Sequence, residues 1–270
     1  MNVEGAALER STKKTFLPAL HASFSAGTLI GVGIGSIAII LDIPIFTHII
    51  AVCSILLITL YCVIDHLPSH TGKIKHTAGE STSQPKVNLF KDTRLLFVGI
   101  IVMGMALAEG AANDWIPILF VDGYNVTHLA GSIFYGIFLS AMLIGRIMGG
   151  NLLDHFGRVP VLAISSLLAI VGLSIVIFNT NPYWGSISVF CWGIGASLGF
   201  PVGLSAAGDN PNGATERVAF VSTLGYLAFL VGPPVIGILG ESYGLLKSML
   251  IVLVAVFIAG IFAPSAKKQS

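Results

Sequence analysis

The chain has 270 residues, 54% of them apolar and only 10% charged, with a net charge of +1 and a mean hydropathy of +0.89. Soluble domains carry about 25% charged residues, so this composition excludes a water-soluble fold. A charge so near neutrality gives no electrostatic basis for binding nucleic acid or an acidic substrate.

The first residues, MNVEGAALERSTKKT, are polar and mixed, without the basic, apolar and small-residue order of a signal peptide. After them come the apolar runs. A helix crossing hydrocarbon needs roughly 20 mostly apolar residues. Eight segments qualify: Phe16–Leu41, Phe46–Ile64, Leu95–Ile118, Leu129–Gly150, Val159–Phe178, Tyr183–Ala207, Val218–Gly240 and Leu245–Phe262. None alternates with period two, and inside a bilayer a backbone closes its own hydrogen bonds only as a helix or a barrel. The expected fold class is therefore all-α, a polytopic membrane protein. The polar stretch DHLPSHTGKIKHTAGESTSQPKVNLFKDT at 65–93 reads as a linker. The predicted organisation is an N-terminal helical part at 1–64, a cytoplasmic linker at 65–93 and a six-helix bundle at 94–270. His66, His70 and His76 in the linker lack a zinc-ligand spacing, so neither a metal nor another cofactor is expected. Cys53, Cys62 and Cys191 sit in apolar runs and read as small packing residues.

The cations fix the expected orientation. If spans alternate sides, Arg10, Lys13, Lys14, Lys73, Lys75, Lys86, Lys91, Arg94, Arg158, Arg217, Lys267 and Lys268 fall on one side, with Arg146 just inside the membrane there. Lys247 stands alone on the other. Cytoplasmic loops accumulate Lys and Arg, so both chain ends are expected inside.

The stretch GGNLLDHFGRVPVL at 149–162 puts Asp154 and Arg158 between two greasy spans. On this reading it is a short cytoplasmic turn. Asp154 would stand near the start of the next helix, where a carboxylate complements the helix N-terminus. Arg158, four residues on, could pair with it or with an acid of a neighbouring helix, and Gly157 suits unusual turn angles. Glu109 lies about fifteen residues into the third span. An intramembrane carboxylate costs roughly 2.5–3.5 kcal/mol on insertion scales, so proton coupling, solute binding or contact with an outer vestibule are the readings open to it. Asp114 and Trp115 follow near the outer face, Trp115 as a stacking residue or as part of the interfacial aromatic belt. Gly232, Pro233 and Pro234 should kink the seventh span, as a hinge or as a fixed bend. Gly27, Gly31 and Gly35, at four-residue spacing, suit close helix packing, as do Gly136, Ser140, Gly145 and Gly149. His21 reads as a packed polar group.

The pattern Gly150-x3-Asp154-x2-Gly157-Arg158 resembles the signature loop of the major facilitator superfamily, although His155 stands where that loop often has Arg or Lys. The strings AEGAANDW, GFPVGLSAAGDNP, GPPVIGILGE, MNVEGAALER and HASFSAGTLIG look like the fucose-permease-like, sugar-transporter-related branch of bacterial inner-membrane permeases. The resemblance implies alternating-access transport of a small polar, sugar-like solute, and because no ATP-binding loop appears, coupling to a proton gradient is expected. It implies that Asp154 acts in a cytoplasmic latch facing the residues near Lys14 to Pro18, and that Arg146 and Arg158 seek acids such as Glu216. It also implies that the third and sixth spans line the cavity, which brings in Trp192, Phe200 and Pro201 beside a core-packing reading. Against a pattern of two six-helix halves, eight spans imply a chain without its first helices. The alternative expectation is then a non-transporting fragment, needing those helices, a partner chain or a second copy. No nucleophile and base converge in the spans, so an enzyme is not expected.

Overall fold

A computed structural model describes residues 2–65, 89–179 and 181–268. Most of the expected linker, with His66, His70 and His76, lies outside them. Among the described residues the elements are helical: α1 Asn2–Thr12, α2 Leu17–Ile40, α3 Ile45–Ile64, α4 Thr93–Tyr124, α5 His128–Phe156, α6 Arg158–Phe178, α7 Gly185–Ala196, α8 Gly199–Ala207, α9 Ala214–Tyr243, α10 Leu245–Ser248 and α11 Leu250–Phe262, with three short 3-10 turns. Eight helical segments are long and apolar enough to cross a membrane, at the eight places that hydrophobicity predicts. The chain is an integral membrane protein built from helices.

Local signals set the helix ends. Asp92 caps α4 by accepting from the Leu95 amide at 2.9 Å, and Thr127 caps α5 by accepting from Ala130 at 3.2 Å. These N-caps fix where the two helices start, while at the other end each runs six residues past the apolar core read from sequence, to Tyr124 and Phe156. Helix α5 continues to Phe156 and α6 starts at Arg158, so the turn between them is the single residue Gly157, at φ 78°. Asp154 therefore lies in the last turn of α5, not at the start of the next helix as expected. Its carboxylate is satisfied by a side chain rather than by a helix N-terminus.

The sixth span is also not one helix. It breaks between Ala196 and Gly199 into α7 and α8. Pro201 explains the break, since it has no amide to offer the Ser197 carbonyl four residues earlier. Helix α9, by contrast, runs unbroken through Pro233 and Pro234.

Two compact units divide the chain: residues 1–26 with 87–270, and residues 27–86. In the first, α4 is central, packed by α9, α11, α5 and α8, while α6 and α7 form a second tight pair. The core runs along α4 through Val98, Ile101, Val102, Met105, Ala108 and Ala112, all buried. In the second unit, α3 has no buried residue, and its isoleucines and leucines form an apolar surface suited to lipid. Cys53 and Cys62 lie exposed on this helix, against the packing role expected of them, while Cys191 on α7 is partly buried.

Candidate functional site

Glu109 falls at the middle of α4 and is only 5% exposed. A bare carboxylate at that depth would be costly, and Arg146 of α5, 1% exposed, answers it with a 2.6 Å ion pair from Nη2 to Oε2. Desolvating both charges is worthwhile only when the remaining donors are also satisfied. Arg146 meets that condition. Its Nη1 donates to Ser25 Oγ at 2.5 Å and to the His21 carbonyl at 3.5 Å, both on α2, and its Nε donates to the Ser197 carbonyl at 3.2 Å. That last acceptor is the carbonyl orphaned by Pro201. One guanidinium thus neutralises an acid, caps a broken helix and grips α2. The arrangement replaces the expected pairing of Arg146 with an acid such as Glu216, which is exposed in the first turn of α9.

The pair faces a cavity of about 290 Å3 walled by Phe24, Phe200, Tyr226 and Phe229, with His21 beside it. The His21 ring meets Phe200 edge to face at 5.5 Å. Asn2 of α1 bridges His21 Nε2 (3.2 Å) and the Tyr226 hydroxyl (3.0 Å). Glu109 accepts the Arg146 hydrogen bond through Oε2. The site therefore combines a charge-balanced polar patch with aromatic walls. It can hydrogen-bond a polar solute while covering that solute's apolar face.

A second cluster gathers at the end of the bundle where α1, α6 and α8 meet. Asp154 accepts from the Thr15 hydroxyl at 2.6 Å. Arg158 donates to both Asp209 oxygens at 2.7 and 2.9 Å and to Ser205 at 2.7 Å, and Arg94 reaches the same carboxylate at 3.0 Å. Glu9 accepts from the Phe16 and Leu17 amides, each at 2.8 Å, and from Ser205. Gly150 lets α5 approach the Thr15 carbonyl, which a Cβ would meet at 3.2 Å. Nearby, Asp92 pairs with Arg217 at 2.5 Å. Burial of Asp92 works against its charge, but the hydrogen bonds from Arg217 and the Leu95 amide and the charges of Arg217 and Arg94 together hold its carboxyl below the ordinary value.

The other residues singled out from sequence stand apart from these two clusters. Asp114 is exposed on α4, roughly one and a half turns further along the helix than Glu109. Trp115 donates to the Pro233 carbonyl at 3.1 Å and lies over Gly237, which ties α4 to α9. Trp192 is fully buried against Phe138 at 5.5 Å and lines no cavity with Glu109. Gly232 gives close approach to Leu107. Sequence reasoning missed Ser25, the Ser197 carbonyl, Tyr226, Phe229, Glu9 and Asp209 as site residues. A signal did exist for Ser197, which stands four residues before Pro201.

The comparisons with known proteins agree with this architecture. The family profile described as Major Facilitator Superfamily matches residues 17–233. An uncharacterised MFS-type transporter of Yersinia pestis is 27% identical over 242 residues, covering 89% of this chain and 61% of the relative. Membrane protein MosC of Rhizobium meliloti is 29% identical over 262 residues, covering 96% of this chain and 62% of its own. An uncharacterised transporter of Sinorhizobium fredii is 24% identical over 264 residues, covering 97% and 68%. The chain thus spans about six-tenths of the length of the first two relatives. No solved structure matches it. With the profile extending over most of the described helices, the chain belongs to the Major Facilitator Superfamily.

Proposed function

We propose that the chain takes part in secondary transport of a small, neutral, hydroxyl-bearing solute by alternating access, with Glu109 carrying the coupled proton. The observation that carries this reading is the buried Glu109–Arg146 pair at the edge of an aromatic cavity. Ligand cavities span roughly 300–1,000 Å3, so about 290 Å3 suits a solute of monosaccharide size. The paired charges sum to zero, which favours an uncharged solute over an ion. A sugar-like solute fits both the walls and the fucose-permease-like strings.

The coupling follows from the same pair. Protonating Glu109 removes its charge and frees one face of Arg146 for solute hydroxyls. It also weakens the reason for Arg146 to stay buried between α4 and α2. Loss of the proton restores the pair and its grip on Ser25 and His21. At the far end, Asp154–Thr15 and Arg158–Asp209 act as the cytoplasmic latch, each contact contributing roughly 0.3–1 kcal/mol, enough when several act together to bias two states. The excess of cations at this end supports an inner-membrane orientation with both chain ends in the cytoplasm. Lipid and proton are then the chain's other partners.

The test is uptake of labelled monosaccharides and polyols into proteoliposomes under an inward proton gradient. A second series co-expresses the segment of the Yersinia relative that this chain does not cover. Gradient-driven uptake that falls at least tenfold in Glu109→Gln, with a shifted pH profile in Glu109→Asp, supports the reading. Uptake only in the second series assigns transport to a complex of which this chain is one part. Uptake indifferent to the gradient removes the proton role.

A further inference from the structure

We infer that the cavity between the α1–α2 turn and the ends of α6 and α8 is a binding site for a phosphate-type anion. This cavity, of about 250 Å3, is lined by Arg10, Lys13, Lys14, Arg158 and Lys268 against only two acids, Glu9 and Asp209. Five cations less two acids leave an excess of three positive charges in one enclosure.

The acids cannot offset that excess further. Asp209 is already shared by Arg94 and Arg158, and Glu9 is spent on the Phe16 and Leu17 amides and on Ser205. Arg10 donates to the Gly208 carbonyl at 2.9 Å, a neutral partner. No carboxylate among the described residues pairs with Lys13, Lys14 or Lys268. Lys13 carries a further mark. It ends α1 in the left-handed region at φ 58°, a place that glycine or asparagine normally fills. A lysine there keeps its cation at the cavity against the backbone's preference.

Cations converging from three separate segments suit a tetrahedral anion with several oxygens better than a single carboxylate. Lysine serves phosphate as a point charge and arginine as a fork. The cavity lies among the ends of helices long and apolar enough to cross a membrane, and basic pockets between membrane helices take up phosphate-bearing headgroups. A bound phosphate would draw the Lys13–Thr15 turn, the start of α6 and the Lys268 tail together, and so hold closed the end that Asp154 and Thr15 also join.

The experiment uses the full chain. Its thermal unfolding midpoint in detergent is measured against inorganic phosphate, with sodium chloride at matched ionic strength as control. It is measured again in phosphatidylcholine vesicles with and without phosphatidylglycerol. Phosphate should raise the midpoint saturably where chloride does not. Lys14→Ala with Lys268→Ala should weaken apparent affinity tenfold or more, the corresponding double change to Arg should retain it, and Lys247→Ala should leave it unchanged. An effect of phosphatidylglycerol alone assigns the site to a lipid headgroup, and an effect of free phosphate alone assigns it to a soluble phosphate compound. Stabilisation by neither phosphatidylglycerol nor phosphate beyond that by chloride, or stabilisation equal in wild type and the Ala pair, overturns the proposal. So does loss in both the Ala and the Arg pairs.

Discussion

Arg146 is the residue on which the greatest number of separate requirements converge. A guanidinium has five donors in a fixed plane, and here they reach Glu109, Ser25, the His21 carbonyl and the Ser197 carbonyl on three other elements. The cost of burying both charges is largely met inside the group, so removing one partner should hurt more than removing two. Breaking a buried pair costs about 3–5 kcal/mol, whereas neutral replacement of both partners is often nearly harmless. Glu109→Gln alone should therefore destabilise the chain by about 3 kcal/mol or more, and Arg146→Gln alone by a similar amount. The double change should cost clearly less than their sum. Chemical unfolding of the four proteins in detergent checks this. Strict additivity would mean that the two side chains act independently and that Arg146 matters mainly as a cap for Ser197. None of this coupling can be read from the sequence. Glu109 and Arg146 are 37 positions apart on different helices, and whether two membrane helices present their charges to each other depends on rotation and packing, which apolar periodicity leaves open when every face is apolar.

At the scale of elements, glycine sets how closely the helices approach. On the α6–α7 seam, a Cβ at Gly172 would sit 2.5 Å from the Ser188 carbonyl and the Trp192 amide, and one at Gly195 would sit 2.6 Å from the Ser165 carbonyl. These are backbone atoms, which can yield only by separating the helices. Gly136 on α5, by contrast, has nothing within 4 Å. Gly172→Ala and Gly195→Ala should each destabilise by about 1–3 kcal/mol through overpacking. Gly136→Ala should be neutral or stabilising by up to about 1 kcal/mol, because alanine is the better helix former. Shifts in the thermal midpoint of purified protein would decide it, and equal behaviour at all three sites would mean that the seam is looser than drawn. The glycines were visible in the sequence, but their use was not. Gly136, Ser140, Gly145 and Gly149 all stand on α5, yet only Gly145 and Gly149 bring it close to Ser197 and Leu198, while Gly136 meets nothing within 4 Å. The spans themselves were legible because some 20 apolar residues in a row admit few other structures. The Asp154–Arg158 cluster was half legible. Its residues stand in a recognisable pattern, but Arg158 chose Asp209 over Glu216 because α9 starts at Ala214 and leaves Glu216 exposed.

For the whole molecule, the decisive property is that its cations are so unevenly placed. Arg94, Arg158 and Arg217 are tied to Asp209 and Asp92 at one end of the bundle, and Arg10, Lys13, Lys14 and Lys268 crowd the cavity beside them. Lys247, in the turn between α9 and α11, is exposed at the opposite end. Moving the crowded end across a membrane would require desolvating many charges, and moving the Lys247 end only one, so insertion should leave the crowded end in the cytoplasm. An even number of spans then keeps both described ends on that side. Cysteine labelling tests the assignment once Cys53, Cys62 and Cys191 have been replaced by serine or alanine, which is mild at Cys53 and Cys62 because both are exposed. In intact bacterial cells, a membrane-impermeant maleimide should label Lys247→Cys and spare Lys267→Cys, and permeabilisation should expose the second. The reverse pattern would turn the molecule over. The Asp154–Thr15 and Arg158–Asp209 contacts would then stand at its outer face.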